Sequence, residues 1–254
     1  MKTEPFVDVI MPNYNKGEFL EESINSVINQ EYKNWNLFII DNLSEDNSKK
    51  VLNNFKNKHK NINIIYLSKN KGVAFSRNLG IRLAKSKYIS FLDSDDYWSS
   101  KKLKEQIKFM EQSDISFSYT DYTPFFIKNN KKIYKKNFIL PNSLSYNEFI
   151  NDTCIATSSM VIKKSFIGVI KFPRIRLEDY AFKCKILRKA GKAIKTESNL
   201  TFYRITRKSL SSNKFRNAYW IWYINKIYNK LSFISRIKSV LFISISSLKR
   251  YGYK

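Results

Sequence analysis

Two acidic clusters carry the residue types and spacing that could do chemistry. In Asp93-Ser94-Asp95-Asp96 three carboxylates fall within four residues, directly after the apolar run Tyr88-Ile-Ser-Phe-Leu92. Side chains at i and i+2 of an extended chain point the same way. At a strand's C-terminal end Asp93 and Asp95 could therefore share one hard divalent cation, which prefers oxygen ligands and leaves positions open for phosphate oxygens. The same tetrapeptide also suits an acidic turn or a helix start, because Ser and Asp are good caps and a helical pattern begins near Ser99. The second cluster, Glu178-Asp179, opens a predicted helix with apolar residues at Ala181, Phe182, Ile186 and Leu187. Acids are favoured at that end by the helix dipole alone.

The elements that must position the first cluster alternate in type. Strands are predicted at Val7–Met11, Asn36–Ile40, Ile62–Leu67 and Tyr88–Leu92. Helices fall between them at Glu18–Gln30, Ser44–Lys58 (opened by Ser44) and Val73–Lys85. Such alternation implies right-handed crossovers and a parallel sheet covered on both faces, with ligands bound outside the carboxyl ends of the strands. Those ends are polar: Pro12-Asn-Tyr-Asn15, Asp41-Asn42, Asn70-Lys-Gly72 leading to Arg77-Asn78, and Asp93–Asp96. Four polar ends converging on one rim suit a polar, phosphorylated ligand. Neither a G-x-G-x-x-G nor a Walker-type glycine loop is present, so cation and arginine would have to hold the phosphates.

Composition narrows the class. With 254 residues, 43% of them hydrophobic, the chain can bury a full core. The single histidine, His59, sits in a Lys/Asn-rich stretch and is expected to be a solvated helix-end residue. A His-based zinc site or a Ser-His-Asp triad is thereby disfavoured. Cys154 and Cys184 lack metal-type spacing and are expected to be ordinary buried thiols of a reducing compartment. The first strand begins so close to Met1 that no secretory leader is expected, and no stretch approaches a spanning helix. A net charge of +25 attracts polyanions: nucleic acid, nucleotide phosphates or anionic lipid.

Taken together, Val9-Ile-Met-Pro-Asn-Tyr-Asn15, Glu22–Gln30, Ile39-Ile-Asp-Asn42, Asn70–Gly80 and Phe91-Leu-Asp-Ser-Asp-Asp-Tyr-Trp98 resemble the family 2 glycosyltransferases of the GT-A fold, in order and in spacing. The resemblance implies a Rossmann-like, mostly parallel α/β sheet flanked by helices. It also implies a UDP-sugar donor, Mn2+ or Mg2+, and transfer with inversion. By position, Asp41 would accept from uracil, Pro12 and Tyr14 would line the base pocket, and Asn70 and Arg77 would contact the nucleotide. Asp93 would meet the ribose and Asp95 the metal and diphosphate, with both carboxylates near the cation. Glu178-Asp179 resembles the family's Glu-Asp motif, in which the Asp is the base, so Asp179 is the expected catalytic residue. Glu178 is expected to contact acceptor or sugar, Trp98 to do the same or simply to cap the core, and Ala156–Lys164 looks like the strand behind the acceptor pocket. Phe202–Ser211 resembles a segment that closes over the diphosphate. Two departures stand out: Asn42 replaces a second Asp, and a histidine metal ligand common near Thr206 is absent, with Arg204, Arg207 or Lys208 as possible compensating charge.

The expected organisation is a catalytic domain over 1–211, with a nucleotide-sugar half (1–110) and an acceptor half (111–211), followed by a helical appendage over 212–254. That tail interleaves aromatic and aliphatic residues with Lys226, Lys230, Arg236, Lys238, Lys249 and Arg250. The composition suits a helix lying on an anionic membrane. Packing on the catalytic domain, or on a second copy in a homodimer, suits it too. The expected protein is a cytoplasmic transferase, peripheral at the inner face of the membrane and acting on a surface glycan or lipid-linked saccharide. Two other classes fit the sequence less well. A basic nucleic-acid-binding protein leaves the four polar strand ends unexplained and shows no recognition module. A nucleotidyltransferase would want a Gly-rich, Arg-containing loop after the first strand, where Pro12–Asn15 stands.

Overall fold

Strand β1 (Val7–Asn13) is buried along its whole length and forms the axis of the sheet. Its alternation divides the core: Val7, Val9 and Met11 face one apolar cluster, and Ile10 faces the other. The computed structural model describes residues 4–56, 58–206 and 214–251. After β1 come α1 (Gly17–Ile28), β2 (Trp35–Asp41), α2 (Ser48–Phe55), β3 (Ile62–Tyr66), α3 (Val73–Leu83), β4 (Tyr88–Phe91), β5 (Tyr97–Trp98) and α4 (Lys102–Gln112). The second half holds β6 (Phe117–Lys128), β7 (Lys131–Tyr134), β8 (Ser143–Ser145), α5 (Tyr146–Phe149), β9 (Val161–Lys163), α6 (Lys164–Ile167), α7 (Glu178–Ala190), β10 (Lys192–Arg204), α8 (Lys214–Ile227) and α9 (Phe233–Tyr251).

The strand order is β3-β2-β1-β4-β9-β6-β10-β5, with β7 beside β6 and β8 beside β10. The first four strands are mutually parallel, as the alternating pattern predicts. Strand order reverses at β1, which has β2 on one side and β4 on the other, so the crevice beyond Asn13 and Asp41 is a topological switch point. Strand β9 then runs antiparallel to both β4 and β6, joining the two halves into one sheet. Helix α3 lies close over β1: a Cβ on Gly80 would come within 2.4 Å of Ile10 Cγ2, which is why glycine stands there.

Two helix starts need correcting. Helix α2 starts at Ser48, not Ser44, because the Ser44 hydroxyl is bonded to Asp41 instead of capping a helix. Helix α4 starts at Lys102 because Tyr97–Trp98 first pairs with β10. Helices α8 and α9 are the expected C-terminal helices, and they pack into the core. Ile221, Ile224 and Ile243 belong to the same buried cluster as Phe91, Tyr180 and Phe182. The Tyr180 hydroxyl donates to Asn225 Oδ1 at 2.8 Å, and Ser239 donates to the Ile150 carbonyl. The boundary at 211/212 thus divides no core. Among the described residues, no helix is long and apolar enough to cross a membrane. Cys154 and Cys184 are free and buried, as expected.

Candidate active site

The first acidic cluster is folded, not extended. The Asp96 amide donates to the Asp93 carbonyl at 2.9 Å, closing a turn that aims successive carboxylates at different partners. Asp93 Oδ1 lies 2.6 Å from Arg77 Nη2, and Asp95 Oδ2 lies 2.6 Å from Lys16 Nζ. Asp96 is buried, accepts from Ser158 Oγ (2.6 Å) and the Arg204 amide (2.8 Å), and fixes the turn to β10. Burial, with Asp95 and Asp93 nearby, pushes its carboxyl well above the usual range. Three carboxylates that look equivalent in the sequence therefore have three different surroundings.

Arg77, on α3, joins this turn to the second cluster. Its guanidinium is buried and meets Glu178 Oε1 at 2.5 Å through Nη1, while Nη2 holds Asp93. Glu178 opens α7 directly after Leu177, whose φ of 56° and ψ of 40° place a branched residue in the left-handed region. Burial outweighs Arg77 and leaves the Glu178 carboxyl raised. Beside it, Asp179 accepts from Lys183 Nζ at 2.7 Å, one helical turn on, and from Thr157 Oγ1 at 3.2 Å. Burial alone would raise the Asp179 carboxyl, but the Lys183 ammonium and Arg77 outweigh it and hold it at about 2. The residues Thr157–Ser159, expected as strand, form a 3-10 turn that braces both clusters. Thr157 bonds Asp179, while Ser158 bonds Asp96 and accepts from the Asp93 amide.

At the ends of β1 and β2 the polar groups hold one another. Asp41 is buried: Oδ1 accepts from Asn13 Nδ2 (2.8 Å) and Ser44 Oγ (2.6 Å), and Oδ2 from the Ser44 amide (3.1 Å). Asn42, the departure from the family pattern, donates to Asn70 Oδ1 at 2.7 Å and accepts from the Lys71 amide at 2.8 Å. A second carboxylate would lack the amide N–H that makes the first of these bonds, so Asn42 is suited to bracing the 70–72 loop. Asn70 Oδ1 also accepts from Gly72, whose φ of 80° leads the chain into α3. Pro12 is buried in β1, and Tyr14 stands exposed beyond it.

A cavity of about 1010 Å³ gathers part of this set. Arg77, Asp93, Glu178 and Asp179 line it, with Lys71, Arg174, Arg176 and Lys183, and its far wall comes from Trp220 and Ile221 on α8 and Ile243 and Leu248 on α9. Pro12, Tyr14, Asp41, Asn70, Asp95 and Trp98 lie outside its lining.

The sequence of residues 8–169 matches the family model described as Glycosyl transferase family 2. The chain belongs to this family. Two curated relatives agree. One is the "Putative teichuronic acid biosynthesis glycosyltransferase TuaG" of Bacillus subtilis, 32% identical over 91% of both chains. The other is the "UDP-Glc:alpha-D-GlcNAc-diphosphoundecaprenol beta-1,3-glucosyltransferase WfgD" of Escherichia coli, 34% identical over 85% of this chain and 83% of that one. Among solved structures, S. aureus TarS in complex with UDP-GlcNAc superposes with a TM-score of 0.72 at 16% identity, covering 98% of this chain and 76% of that one. That likeness shows the GT-A fold, and the chain is a family 2 glycosyltransferase with that architecture.

Within this glycosyltransferase two expected roles change. Trp98 cannot stack on a sugar from where it stands: it is 3% exposed, its indole N–H donates to the Ser158 carbonyl at 2.7 Å, and Lys102 Nζ lies 3.8 Å from its ring centroid. It closes the core beneath the acidic turn. Arg204 is likewise engaged, donating to the Asp95 carbonyl (2.7 Å) and to Glu22 (2.5 Å), so its charge is not free for a diphosphate. Arg207, Lys208 and the rest of the stretch to Ser211 lie outside the described residues. Asp121 is on β6 and pairs with Lys195 at 3.2 Å. Lys16, Ser44, Ser158 and Lys183 escape sequence reasoning. Only Lys183 leaves a signal, its i+4 spacing from Asp179 on a helix.

The metal question can be put to the donor set. No group of three or more His, Cys, Asp or Glu side chains able to hold a metal occurs among the described residues. Asp93 and Asp95 each keep a second carboxylate oxygen without a partner among the described residues. Two carboxylates plus substrate phosphates are a usual Mg2+-type set, so these residues fit a cation that arrives with a diphosphate, with Lys16 as its competitor for Asp95.

Proposed function

We propose that this glycosyltransferase moves a sugar from a UDP-sugar to a hydroxyl of a lipid-linked saccharide, with inversion and with the help of a divalent cation. The observation that carries the reading is Arg77: one buried guanidinium ties Asp93, on the turn that ends β4, to Glu178, next to Asp179, on one cavity wall. The lipid-linked acceptor is favoured by the activity for which the WfgD relative is named and by the apolar wall that α8 and α9 give the cavity.

The chemistry is one displacement. The acceptor oxygen bonds to the anomeric carbon as the bond from that carbon to the diphosphate breaks, and the hydroxyl proton goes to Asp179. A carboxyl held at about 2 is always ionised at neutral pH and accepts the proton only as the oxygen acidifies in the transition state. Thr157 and Lys183 fix the orientation of Asp179, and Glu178 positions Arg77 without touching substrate. A cation held by Asp95, with Asp93 nearby, would neutralise the leaving UDP. Asp41, Asn70, Pro12 and Tyr14 border the uracil and ribose in this reading.

The outward faces of α8 and α9 expose Phe215, Tyr219, Phe233, Ile234, Leu241 and Phe242 among Lys226, Lys230, Arg236 and Lys238. This surface favours a peripheral position on an anionic membrane, at its cytoplasmic face, over a homodimer seam. Hydrolysis of UDP-, GDP- and dTDP-sugars with and without manganese tests the donor and the cation. Preference for a GDP- or dTDP-sugar, or equal rates without metal, would overturn the corresponding part.

A further inference from the structure

The cavity carries more positive charge than its own carboxylates can balance. Arg77 is bonded to Asp93 and Glu178, Lys183 to Asp179, and Arg250 to Asp152. That leaves Lys71, Arg174 and Arg176 on the lining, none with a carboxylate partner among the described residues. Lys71 and Arg174 sit over the ring of Phe75, at 4.6 and 5.4 Å from its centroid.

Arg176 is the most exposing case. Its Nε and Nη2 are buried and have no hydrogen-bond partner among the described residues. Burial and the like charge of Arg216 depress its affinity for its proton, with Glu178 opposing them. Arg176 as a whole is half-buried, but two guanidinium nitrogens shut off from water without a partner are costly to the fold. It is well placed for one class of guest, an anion with several acceptor oxygens.

We propose that Arg176, with Arg174 and Lys71, forms the binding site for the diphosphate of a lipid-linked acceptor. This rests on the transferase reading above and deepens it. Arg176 lies three residues before Asp179, so their backbones are separated by at most ~10 Å. That is the scale of a single sugar ring placed between a reacting hydroxyl at Asp179 and a diphosphate at Arg176. The leaving diphosphate of the donor belongs near Asp95, outside this cavity's lining, so two diphosphates would have two sites. The apolar side chains Trp220, Ile221, Ile243 and Leu248 line the same space and suit the first isoprene units of a lipid.

The test is calorimetry on the full chain with geranyl diphosphate, geraniol and UDP. With UDP saturating, the wild type should bind geranyl diphosphate. R176M should weaken that binding about tenfold or more, the loss of one charge-assisted contact to phosphate, and R176K should recover part of it. UDP affinity should stay unchanged, and R176M should melt at or above the wild-type temperature because no hydrogen bond is lost. Equal binding of geranyl diphosphate by R176M and wild type overturns the proposal. So does a parallel fall in UDP affinity and melting temperature, the mark of a structural residue, and so does competition between UDP and geranyl diphosphate, which would place both diphosphates in one site. Wild type that binds UDP but not geranyl diphosphate overturns this proposal alone. Failure to bind UDP overturns the UDP-sugar reading and, with it, the two-site arrangement proposed here.

Discussion

At the ends of β1 and β2, polar side chains lean on one another: Asn13 and Ser44 on Asp41, Asn42 on Asn70. Across the rim, in the cavity under α7, charges are either locked in pairs or left with no carboxylate partner, as Arg174 and Arg176 are. The first region is pre-formed as it stands, a set of short neutral and singly charged contacts. The second carries buried charge whose stability depends on keeping each partner in place. Substitutions should therefore be tolerated unequally, and the contrast can be broken at several points.

The largest effect should come from removing residues 214–254. Because Ile221, Ile224 and Ile243 complete the core around Tyr180 and Phe182, the truncated chain should be insoluble or fail to show a cooperative melt. A stable, active truncation would show that this packing is dispensable to the fold. Next is Asp179→Asn, nearly isosteric but unable to take a proton. It should lower kcat by about 10²–10⁴-fold, the usual worth of a general base, with UDP-sugar affinity within a few-fold of wild type. Steady-state kinetics with donor binding by calorimetry reads both.

Arg77→Met should separate the two regions. It strands Asp93 and the buried Glu178 together, and breaking a buried pair from one side costs roughly 3–5 kcal/mol. The solvent reaching Asp93, whose side chain is 30% exposed, brings the expectation to the lower end of that range. Urea denaturation measures it; Asn42→Ala in the other region should cost about 1 kcal/mol, the scale of a lost neutral hydrogen bond. The smallest effect is in pH. Asp179 is held at about 2, below its ordinary 3.8. Its contribution to stability is thus complete above 3.8 and is lost as pH falls through 2. Lys183→Met removes the main cause, so the acid limb of kcat/KM should move to higher pH. An unmoved limb would show that Lys183 does not set the carboxyl's charge.

The sheet was legible because β1 to β4 alternate with α1 to α3, and each strand is a short apolar run ended by polar residues. The clusters at Asp93–Asp96 and Glu178-Asp179 were legible as motifs. What each carboxylate does was not. Asp93, Asp95 and Asp96 are told apart by partners such as Arg77, Lys16 and Ser158, which lie 16, 79 and 62 residues away. Contacts at such separations leave no period in a sequence. Trp98 was misread for the same reason, since its burial depends on Ser158 and Lys102. The role of α8 and α9 was ambiguous because their composition is apolar on both sides. Inward Ile221 and Ile243 pack, while outward Leu241 and Phe242 do not.

That two-sidedness has a kinetic consequence. One pair of helices is at once a wall of the cavity proposed to hold the reaction and the surface proposed to rest on lipid. A substrate anchored in the same bilayer would reach the chamber by lateral diffusion in two dimensions, already concentrated beside its entrance. Affinity in bulk solution would then matter little, because confinement supplies an effective concentration that a freely dissolved acceptor lacks. Short, water-soluble acceptor fragments should accordingly show a high KM even when kcat is intact, and presenting the same head group on vesicles should lower it.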